Sequence, residues 1–281
     1  MRTVLEIIKM SADFLGGKGV EQPRLNAELM VGHALGLKRM QLYLQFERPL
    51  AESELETIRG YLRRRGQREP LQYILGETDF LGLALKTDRR ALIPRPETEY
   101  LVSLLTEKIG ASPRRVLDLG TGTGAIALAL ATHWPEAQVL ATDVSTDALA
   151  LAQENVGQVG LGGRVQLLQS DWYQQVPADT CFDLIVSNPP YLSDRETDET
   201  LVEVKNFEPR IALTPGGHGL ESIQRIIAGA PAQLNEGGLL AMETGIAQHE
   251  AIAGLLVTAG FLRHEFLPDL TGRPRFAWAW I

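Results

Sequence analysis

Four residues that could together bind one chemical group, NPPY, follow an apolar run in the stretch LIVSNPPYLSD of residues 184–194. A carboxamide or an exocyclic amine on a flat ring is a poor nucleophile, because its nitrogen lone pair is delocalised. Acceptors for both N–H groups would direct that lone pair outward, and the Asn188 side-chain oxygen and the Pro189 carbonyl suit this task. Proline fixes φ and so aims its carbonyl rigidly, while an aromatic ring offers a face to a planar group. We therefore expect the following residues to hold an NH₂ group for reaction: Asn188, Pro189, Pro190 and Tyr191.

A glycine-rich turn, DLGTGTGA, follows another apolar run and precedes a helical pattern. Glycine allows a tight turn and the close approach of a ligand, which a Cβ would block. Many such turns bind nothing, and dinucleotide enzymes use a similar spacing, so the turn alone is a weak signal. Asp118, just before the turn, could accept a hydrogen bond from a ligand's ammonium group. The expected cofactor contacts in the turn are Gly120, Thr121, Gly122, Thr123 and Gly124.

Further candidates follow the next predicted strands. Asp143 lies 19 residues after Gly124, where a carboxylate can accept hydrogen bonds from ribose hydroxyls. Asp171 and Trp172 offer an acceptor and an aromatic face to an adenine ring, and Asn188 follows the strand after that. Ligands of parallel α/β sheets bind at the carboxyl ends of strands, so we expect these side chains in one cofactor site. The structural alternatives are a helix cap for Asp143 and simple packing for Trp172.

S-adenosylmethionine suits this set of residues better than NAD. The pattern is a single glycine turn in an acidic setting, with no basic residue inside the turn to meet a pyrophosphate. Helix N-termini can bind phosphate without such a residue, so NAD stays open as the alternative. No metal is expected, because no Cys/His cluster has the spacing of metal ligands.

The order of elements predicts how these residues are positioned. From residue 114, strand-like runs alternate with helical patterns, which predicts an α/β fold with a mostly parallel sheet and helices on both faces. The tail FLRHEFLPDLTGRPRFAWAWI offers two strands for an antiparallel edge. The predicted domains are a helical bundle at 1–70, a hairpin linker at 71–92 and the catalytic domain at 93–281.

Charge is distributed unevenly along the chain. Residues up to 70 carry 12 Lys+Arg against 9 Asp+Glu, a net +3, and the rest carries a net −11. A solvated helix face is the simpler interpretation of the basic cluster YLRRRGQR, and a surface facing a partner is the alternative. The total of −8 argues against broad binding to nucleic-acid phosphates. The arginines of this cluster are Arg63, Arg64, Arg65 and Arg68.

Composition excludes several classes of protein. The chain of 281 residues is 44% hydrophobic and 22% charged, which is ordinary for a globular protein. It has no apolar run of 18 residues that would span a membrane, and its single cysteine, Cys181, excludes an internal disulfide. The first residues, MRTVLEIIKMSADFLGG, form an amphipathic pattern rather than a signal peptide. We therefore expect a cytoplasmic monomer without a membrane partner.

Several motifs together resemble the HemK/PrmC family of class I amino-methyltransferases. They are DLGTGTG, NPPY beginning 64 residues after its last glycine, IPRPETE at 93–99 and FEPRIAL at 207–213. The resemblance covers essentially the whole chain. It implies a small helical domain for substrate recognition, a hairpin linker and a Rossmann-like, S-adenosylmethionine-dependent methyltransferase domain. It further implies methylation of the side-chain amide nitrogen (N5) of the glutamine in the Gly-Gly-Gln motif of class I peptide chain release factors, with S-adenosyl-L-homocysteine as product.

The resemblance also assigns roles to residues. It implies that the glycine turn, Asp143 and Trp172 bind the cofactor, and that the NPPY residues hold the glutamine. Glu97, Thr98 and Glu99 resemble the family's active-site wall, and we expect Glu97 and Thr98 to meet the substrate. The helical domain would grip the release factor, with the arginine cluster as a candidate contact and no direct binding of nucleic acid.

Two other functions use the same residues. An adenine-N6 methyltransferase would hold an NH₂ group on a flat ring in the same way, but the acidic catalytic portion and the lack of a long basic recognition region argue against it. A protein that binds S-adenosylmethionine without transferring its methyl group is the non-enzymatic alternative. An intact Asn188-Pro189-Pro190-Tyr191 stretch disfavours that alternative.

Overall fold

The chain is divided into two compact units in a computed structural model that describes residues 2–281. The first unit ends at Gly76 and also includes the later segment Leu201–Phe207, and the second unit comprises the rest. The chain therefore leaves the second unit after Thr200 and returns to it at Glu208. The compact units divide after Gly76, which lies between the two domain boundaries predicted at residues 70 and 92. Those boundaries stay a prediction.

The first unit is a bundle of helices, as the spacing of its apolar residues predicts. Thr3 caps the first helix through its side chain, Pro23 opens the second, and Gly36 ends it in the left-handed conformation with φ 63°. Buried apolar side chains from several helices, among them Ile8 and Ile58, form its core. The helices are α1 (Val4–Gly17), α2 (Pro23–Leu35), α3 (Arg39–Tyr43), α4 (Glu52–Gly66), α5 (Leu71–Leu75) and, from the later segment, α10 (Val202–Phe207).

Helix α3 was not expected from the sequence. It has five residues, which is too short for a periodic apolar pattern. Two polar side chains attach it to the bundle, because Arg39 Nε and Tyr43 OH both donate to Oε2 of the buried Glu28, at 2.6 and 3.0 Å. Such a contact between distant residues leaves no mark in local sequence.

The arginine cluster of α4 is largely used inside the first unit. Arg65 is 6% exposed, and two of its guanidinium nitrogens lie 3.1 Å from Oε1 of Glu203 in α10. Arg68 binds the same carboxylate through two hydrogen bonds of 2.7 Å. Arg64 pairs at 2.8 Å with a carboxylate five residues further along. The interpretation as a solvated face is therefore wrong for Arg65 and Arg68, whereas Arg63 is exposed.

The second unit contains a seven-stranded sheet in the order β5-β4-β3-β6-β7-β9-β8. Neighbouring strands run parallel from β5 to β7, and β9 pairs antiparallel with both β7 and β8. This confirms the predicted mostly parallel sheet with an antiparallel edge. A separate two-stranded hairpin precedes it. The strands are β1 (Glu77–Phe80) and β2 (Leu83–Lys86) in the hairpin, and β3 (Arg115–Leu119), β4 (Gln138–Asp143), β5 (Val165–Gln169), β6 (Phe182–Ser187), β7 (Leu234–Glu243), β8 (Arg263–Pro268) and β9 (Pro274–Trp280) in the sheet.

Helices cover both faces of this sheet. Successive residues of β3, Val116 and Leu117, belong to two different apolar cores, because side chains alternate across a strand. None of the helices within residues 2–281 is long and apolar enough to cross a membrane. The helices are α6 (Pro96–Lys108), α7 (Ala125–His133), α8 (Thr146–Val159), α9 (Asp194–Glu199), α11 (Glu221–Gly229) and α12 (His249–Thr258), with 3₁₀ turns at Arg210–Ala212 and Ala230–Ala232.

Candidate active site

The glycine turn after β3 has a backbone that glycine adopts most readily. Gly120, Gly122 and Gly124 have φ values of 73°, 56° and 84°, in the left-handed region where a Cβ is strained. The backbone N–H of Gly120 donates to the carbonyl of Thr142 at 2.9 Å, which ties the turn to β4. A Cβ on Gly120 would lie 3.7 Å from the indole ring of Trp172. The turn therefore leaves an open backbone surface beside an aromatic ring.

The two threonines of the turn are buried and serve its structure. Thr121 Oγ1 donates to Oδ2 of Asp118 at 2.6 Å, and the carbonyl of Thr123 accepts a 2.9 Å hydrogen bond from Asn155 Nδ2. The Thr121 side chain and the Thr123 backbone carbonyl thus hold the turn in shape, and contact of either threonine with a cofactor stays a prediction.

Asp118 lies fully buried beneath the turn with one oxygen unused. Its Oδ2 accepts from Thr121 and from the backbone N–H of Ala127, whereas its Oδ1 has no hydrogen-bond partner within the described chain. Burial raises the pKa of Asp118 to about 7. A buried acceptor without a partner is costly, so this oxygen is suited to a donor group supplied by a ligand.

Asp143 stands at the end of β4, as predicted. Its Oδ2 accepts from the backbone N–H of Gly122 and its Oδ1 from that of Ser145, both at 2.9 Å. Burial raises the pKa of this carboxyl group. Each carboxylate oxygen has more than one lone pair, so Asp143 can brace the turn and still accept hydrogen bonds from a ligand in the cavity that it lines.

Asp171 and Trp172 follow β5 and line the same cavity. Trp172 has φ 54°, an uncommon conformation for a residue with a side chain, and this places its ring against the glycine turn. The carboxylate of Asp171 is paired with Arg225 at 2.8 Å, a partner that the sequence did not indicate. The ring of Trp172 therefore borders the cavity, whereas the carboxylate of Asp171 is already bound to Arg225.

Asn188 directly follows β6 and lines the cavity together with Pro190. Its side-chain Nδ2 donates to Oγ1 of Thr98 at 2.9 Å. Thr98, in the first turn of α6, is 4% exposed and donates its own proton to Oε2 of Glu243 at 2.7 Å. The structure thus brings Thr98 and Asn188 together. Thr98, which was expected to meet the substrate, is a buried hydrogen-bond partner of Asn188.

Tyr191 is attached to the same carboxylate. Its hydroxyl donates to Oε1 of Glu243 at 2.9 Å, and burial raises the pKa of that hydroxyl. Arg275 Nη1 lies 3.3 Å from the same hydroxyl oxygen. Neither Glu243 nor Arg275 is among the residues predicted from the sequence. Glu243 could have been predicted from the stretch GGLLAMET, where it directly follows an apolar run. Ligands of parallel α/β sheets bind at the carboxyl ends of strands, so a carboxylate at that position is a candidate for the site.

Two motifs that are far apart in sequence meet beside the cavity. The buried side chain of Glu208, from FEPRIAL, accepts from the backbone N–H of Ile93 at 3.2 Å and from Arg95 at 2.6 Å, both in IPRPETE. Burial raises the pKa of Glu208. Glu97, the other residue expected to meet the substrate, lies 3.3 Å from Arg273.

The cavity has a volume of about 360 Å³, within the range of roughly 300–1,000 Å³ that is typical of small-molecule sites. S-adenosylmethionine fits the residues present. The glycine turn offers open backbone beside an indole, Asp143 offers acceptors, and Asp118 has a buried oxygen without a partner for a cationic donor group. The arginines on the cavity wall, Arg90 and Arg225, are both paired with carboxylates.

Comparison with known proteins agrees with this fold. The hMettl16 catalytic domain, solved with an RNA hairpin of the MAT2A 3′UTR, superposes with a TM-score of 0.60 at 22% identity, over 78% of this chain and 81% of that one. Residues 96–221 match the methyltransferase small domain, and residues 6–76 match the PrmC N-terminal domain. The protein is a class I S-adenosylmethionine-dependent methyltransferase.

Relatives of similar length identify the family. The release factor glutamine methyltransferase of Rhodopirellula baltica is 39% identical over 97% of this chain and 94% of its own length. The enzyme of the same name from Chlorobaculum tepidum is 43% identical over 86% of this chain and 85% of its own. The chain belongs to the release factor glutamine methyltransferase family, which confirms the resemblance found in the motifs.

Proposed function

We propose that this enzyme methylates the side-chain amide nitrogen of the glutamine in the Gly-Gly-Gln motif of class I peptide chain release factors. The relatives are named release factor glutamine methyltransferases, which supports a glutamine of a release factor as the substrate. One observation of the site carries the proposal. Asn188 borders the cavity with its NH₂ group turned to Thr98, so its oxygen is left to accept from an amide of the substrate.

The cofactor would lie along the carboxyl ends of β3, β4 and β5. In this proposal Gly120 and Gly122 supply open backbone, Asp143 accepts from ribose hydroxyls, and Trp172 lies against the adenine. Thr121, Thr123 and Gly124 keep the turn in shape rather than touching the ligand. When bound, S-adenosylmethionine supplies an electrophilic methyl group on a sulfonium centre.

The NPPY residues would hold the glutamine. Asn188 Oδ1 and the carbonyl of Pro189 accept its two amide N–H groups, so that the nitrogen lone pair is directed away from them. The rings of Pro189 and Pro190 restrict the backbone, so these acceptors need little reorganisation. Tyr191 supports this arrangement through its ring, while its hydroxyl remains on Glu243.

Proton transfer requires no strong base before the methyl group moves. The bond between the glutamine nitrogen and the methyl carbon would form as the bond between that carbon and sulfur breaks, and the nitrogen then loses one proton to solvent. Asn188 and Pro189 would not retain that proton, because their carbonyl oxygens are neutral and only weakly basic. The role of the NPPY residues is therefore to orient the amide, and their side chains include neither a histidine nor a carboxylate that would act as a base.

The partner and location follow from the reaction. We place the enzyme in the cytoplasm as a monomer, with the helical first unit contacting the release factor and no direct contact with nucleic acid. The net charge of −8 supports the last point. The internal pairing of Arg65 and Arg68 leaves Arg63 as the cluster residue best placed for such a contact.

The test is methyl transfer to a recombinant class I release factor, read on the Gly-Gly-Gln peptide by mass spectrometry. We expect a gain of one methyl group on the glutamine, and a loss of turnover of about 10²- to 10³-fold in Asn188→Ala. Asn235→Ala, an exposed asparagine of β7, is the matched control and should retain turnover. Label in DNA or RNA instead of the peptide would favour the adenine methyltransferase, and cofactor binding without any transfer would favour the non-enzymatic role.

A further inference from the structure

The two ends of the NPPY stretch are attached to one buried carboxylate. Glu243 ends β7, is 1% exposed, and has both oxygens occupied. Oε2 accepts from Thr98, which in turn contacts Asn188, and Oε1 accepts from Tyr191. The carboxylate is therefore connected to the first and the last residue of the stretch at the same time.

Burial raises the pKa of Glu243, while the hydrogen bonds from Thr98 and Tyr191 and the nearby charge of Arg275 favour its ionised form. As a carboxylate, Glu243 imposes a direction on this chain of hydrogen bonds. It can only accept, so Thr98 must give its single hydroxyl proton to Glu243. The Thr98 oxygen then has only lone pairs to offer, and Asn188 must present its NH₂ group to it. The Asn188 oxygen consequently points away from Thr98.

We propose that Glu243 is a positioning residue that fixes, through Thr98, which end of the Asn188 carboxamide faces the substrate. This inference rests on the proposed function, in which the Asn188 oxygen accepts from the glutamine amide. With the carboxamide reversed, Asn188 would present a donor to a donor. One N–H group of the substrate would then lack its acceptor, and the Pro189 carbonyl alone could not align the amide.

The surroundings of Glu243 agree with a role that needs a carboxylate. Burying a carboxylate is costly, and a neutral side chain could fill the same space. A glutamine here would offer an oxygen to one hydroxyl and an NH₂ group to the other, so one of the two would have to turn around. Arg275, which lies 3.3 Å from the Tyr191 hydroxyl, places a positive charge near the carboxylate.

The test uses Glu243→Gln, Thr98→Val and Thr98→Ser in the full chain. Thr98→Val keeps the shape but removes the hydroxyl, and we expect kcat to fall about 10²-fold because the acceptor loses its orientation. KM for the release factor and the Kd for S-adenosylmethionine should change less than about threefold. Thr98→Ser should restore most of kcat. Thr106→Val, on the same helix α6 and bonded only within it, is the control and should match the wild type.

A second measurement does not depend on activity. The side-chain NH₂ signal of Asn188 in the cofactor-free protein can be assigned by two-dimensional NMR from its loss in Asn188→Ala. We expect this signal to shift in Glu243→Gln and Thr98→Val, and not in Thr106→Val. A signal that stays in place in folded Glu243→Gln, or normal kcat in folded Thr98→Val, would overturn the inference.

Failure of the two proposals can be told apart. If the wild type does not methylate the Gly-Gly-Gln glutamine, the proposed function fails, while the NMR shift still decides whether Glu243 orients Asn188. If the wild type methylates normally and Thr98→Val does so equally well, the positioning role fails alone. If Thr98→Val does not fold, the near-isosteric Glu243→Gln carries both measurements.

Discussion

Asn155 of α8 donates its side-chain amide to the carbonyl of Thr123 at 2.9 Å, so the helix after β4 holds the glycine turn that follows β3. The same buried side chain exchanges two hydrogen bonds with the backbone of Lys86, at 2.7 and 3.1 Å. One residue thus joins the turn to the hairpin strand β2.

Replacing Asn155 by alanine should destabilise the second unit. The change leaves the Thr123 carbonyl and the Lys86 backbone without partners, which we expect to cost about 2–4 kcal/mol in the free energy of unfolding. Urea unfolding measures this loss. Gln158→Ala, which removes one exposed hydrogen bond of α8, is the control and should cost less than about 1 kcal/mol. Equal losses in the two variants would contradict the special role of Asn155.

Asp118→Asn should make stability less dependent on pH. The pKa of Asp118 is raised by burial to about 7, above its unfolded value of 3.8, so the folded state holds the proton more tightly. The contribution of Asp118 to the free energy of unfolding is therefore greatest below pH 4 and is lost as the pH rises towards 7. Asparagine avoids this loss, and we expect Asp118→Asn to gain about 2 kcal/mol over wild type at pH 8 and little at pH 4.5.

Thermal unfolding at the two pH values tests this, with exposed Asp147→Asn as the control that should show no such difference. A gain of the same size at both pH values would mean that Asp118 does not titrate in this range. We also expect weaker binding of S-adenosylmethionine in Asp118→Asn, since a neutral amide attracts a ligand's ammonium group less strongly than a carboxylate does.

Asp143→Ala should weaken binding of S-adenosylmethionine. Hydrogen bonds from ligand hydroxyls to a carboxylate are lost, and the Gly122 backbone loses its brace. We expect the Kd from calorimetry to rise about 10- to 100-fold. Asp147→Ala removes the same charge from the start of α8 and should leave the Kd unchanged. An unchanged Kd in Asp143→Ala would remove this residue from the cofactor site.

Glu203→Ala should destabilise the first unit. It leaves the guanidinium of Arg65, 6% exposed, without its anionic partner, and the expected cost is about 3–5 kcal/mol. Chemical unfolding measures it. Glu199→Ala breaks an exposed pair with Arg195 and should cost less than about 1 kcal/mol. A small effect in both variants would show that Arg65 finds a substitute partner.

The sequence predicted the elements whose signals are local. The alternation of strands and helices from residue 114 and the antiparallel tail are confirmed, because each depends on spacing or turn residues close together in the chain. The parallel order of the strands in turn places Asp143 and Asn188 at one edge of the sheet. Their roles toward the ligands stay a prediction.

What the sequence could not predict depends on contacts between distant residues. Arg65 and Glu203 are 138 positions apart, and Thr98 and Glu243 are 145 apart. Nothing in the spacing of either pair relates one residue to the other. The sequence therefore indicates a surface for the arginine cluster and a substrate contact for Thr98, and only the fold shows that Arg65 and Thr98 have buried carboxylate partners.

The assignment of Leu201–Phe207 to the first unit has a consequence for proteolysis and for truncation. A protease that cut the chain after Gly76 would yield one fragment lacking a helix of its own bundle and another carrying that helix. The amino-terminal fragment alone would contain Arg65 without Glu203. We therefore expect the two fragments to remain associated after a single cut. An amino-terminal fragment ending at Gly76 should be less stable than the intact first unit.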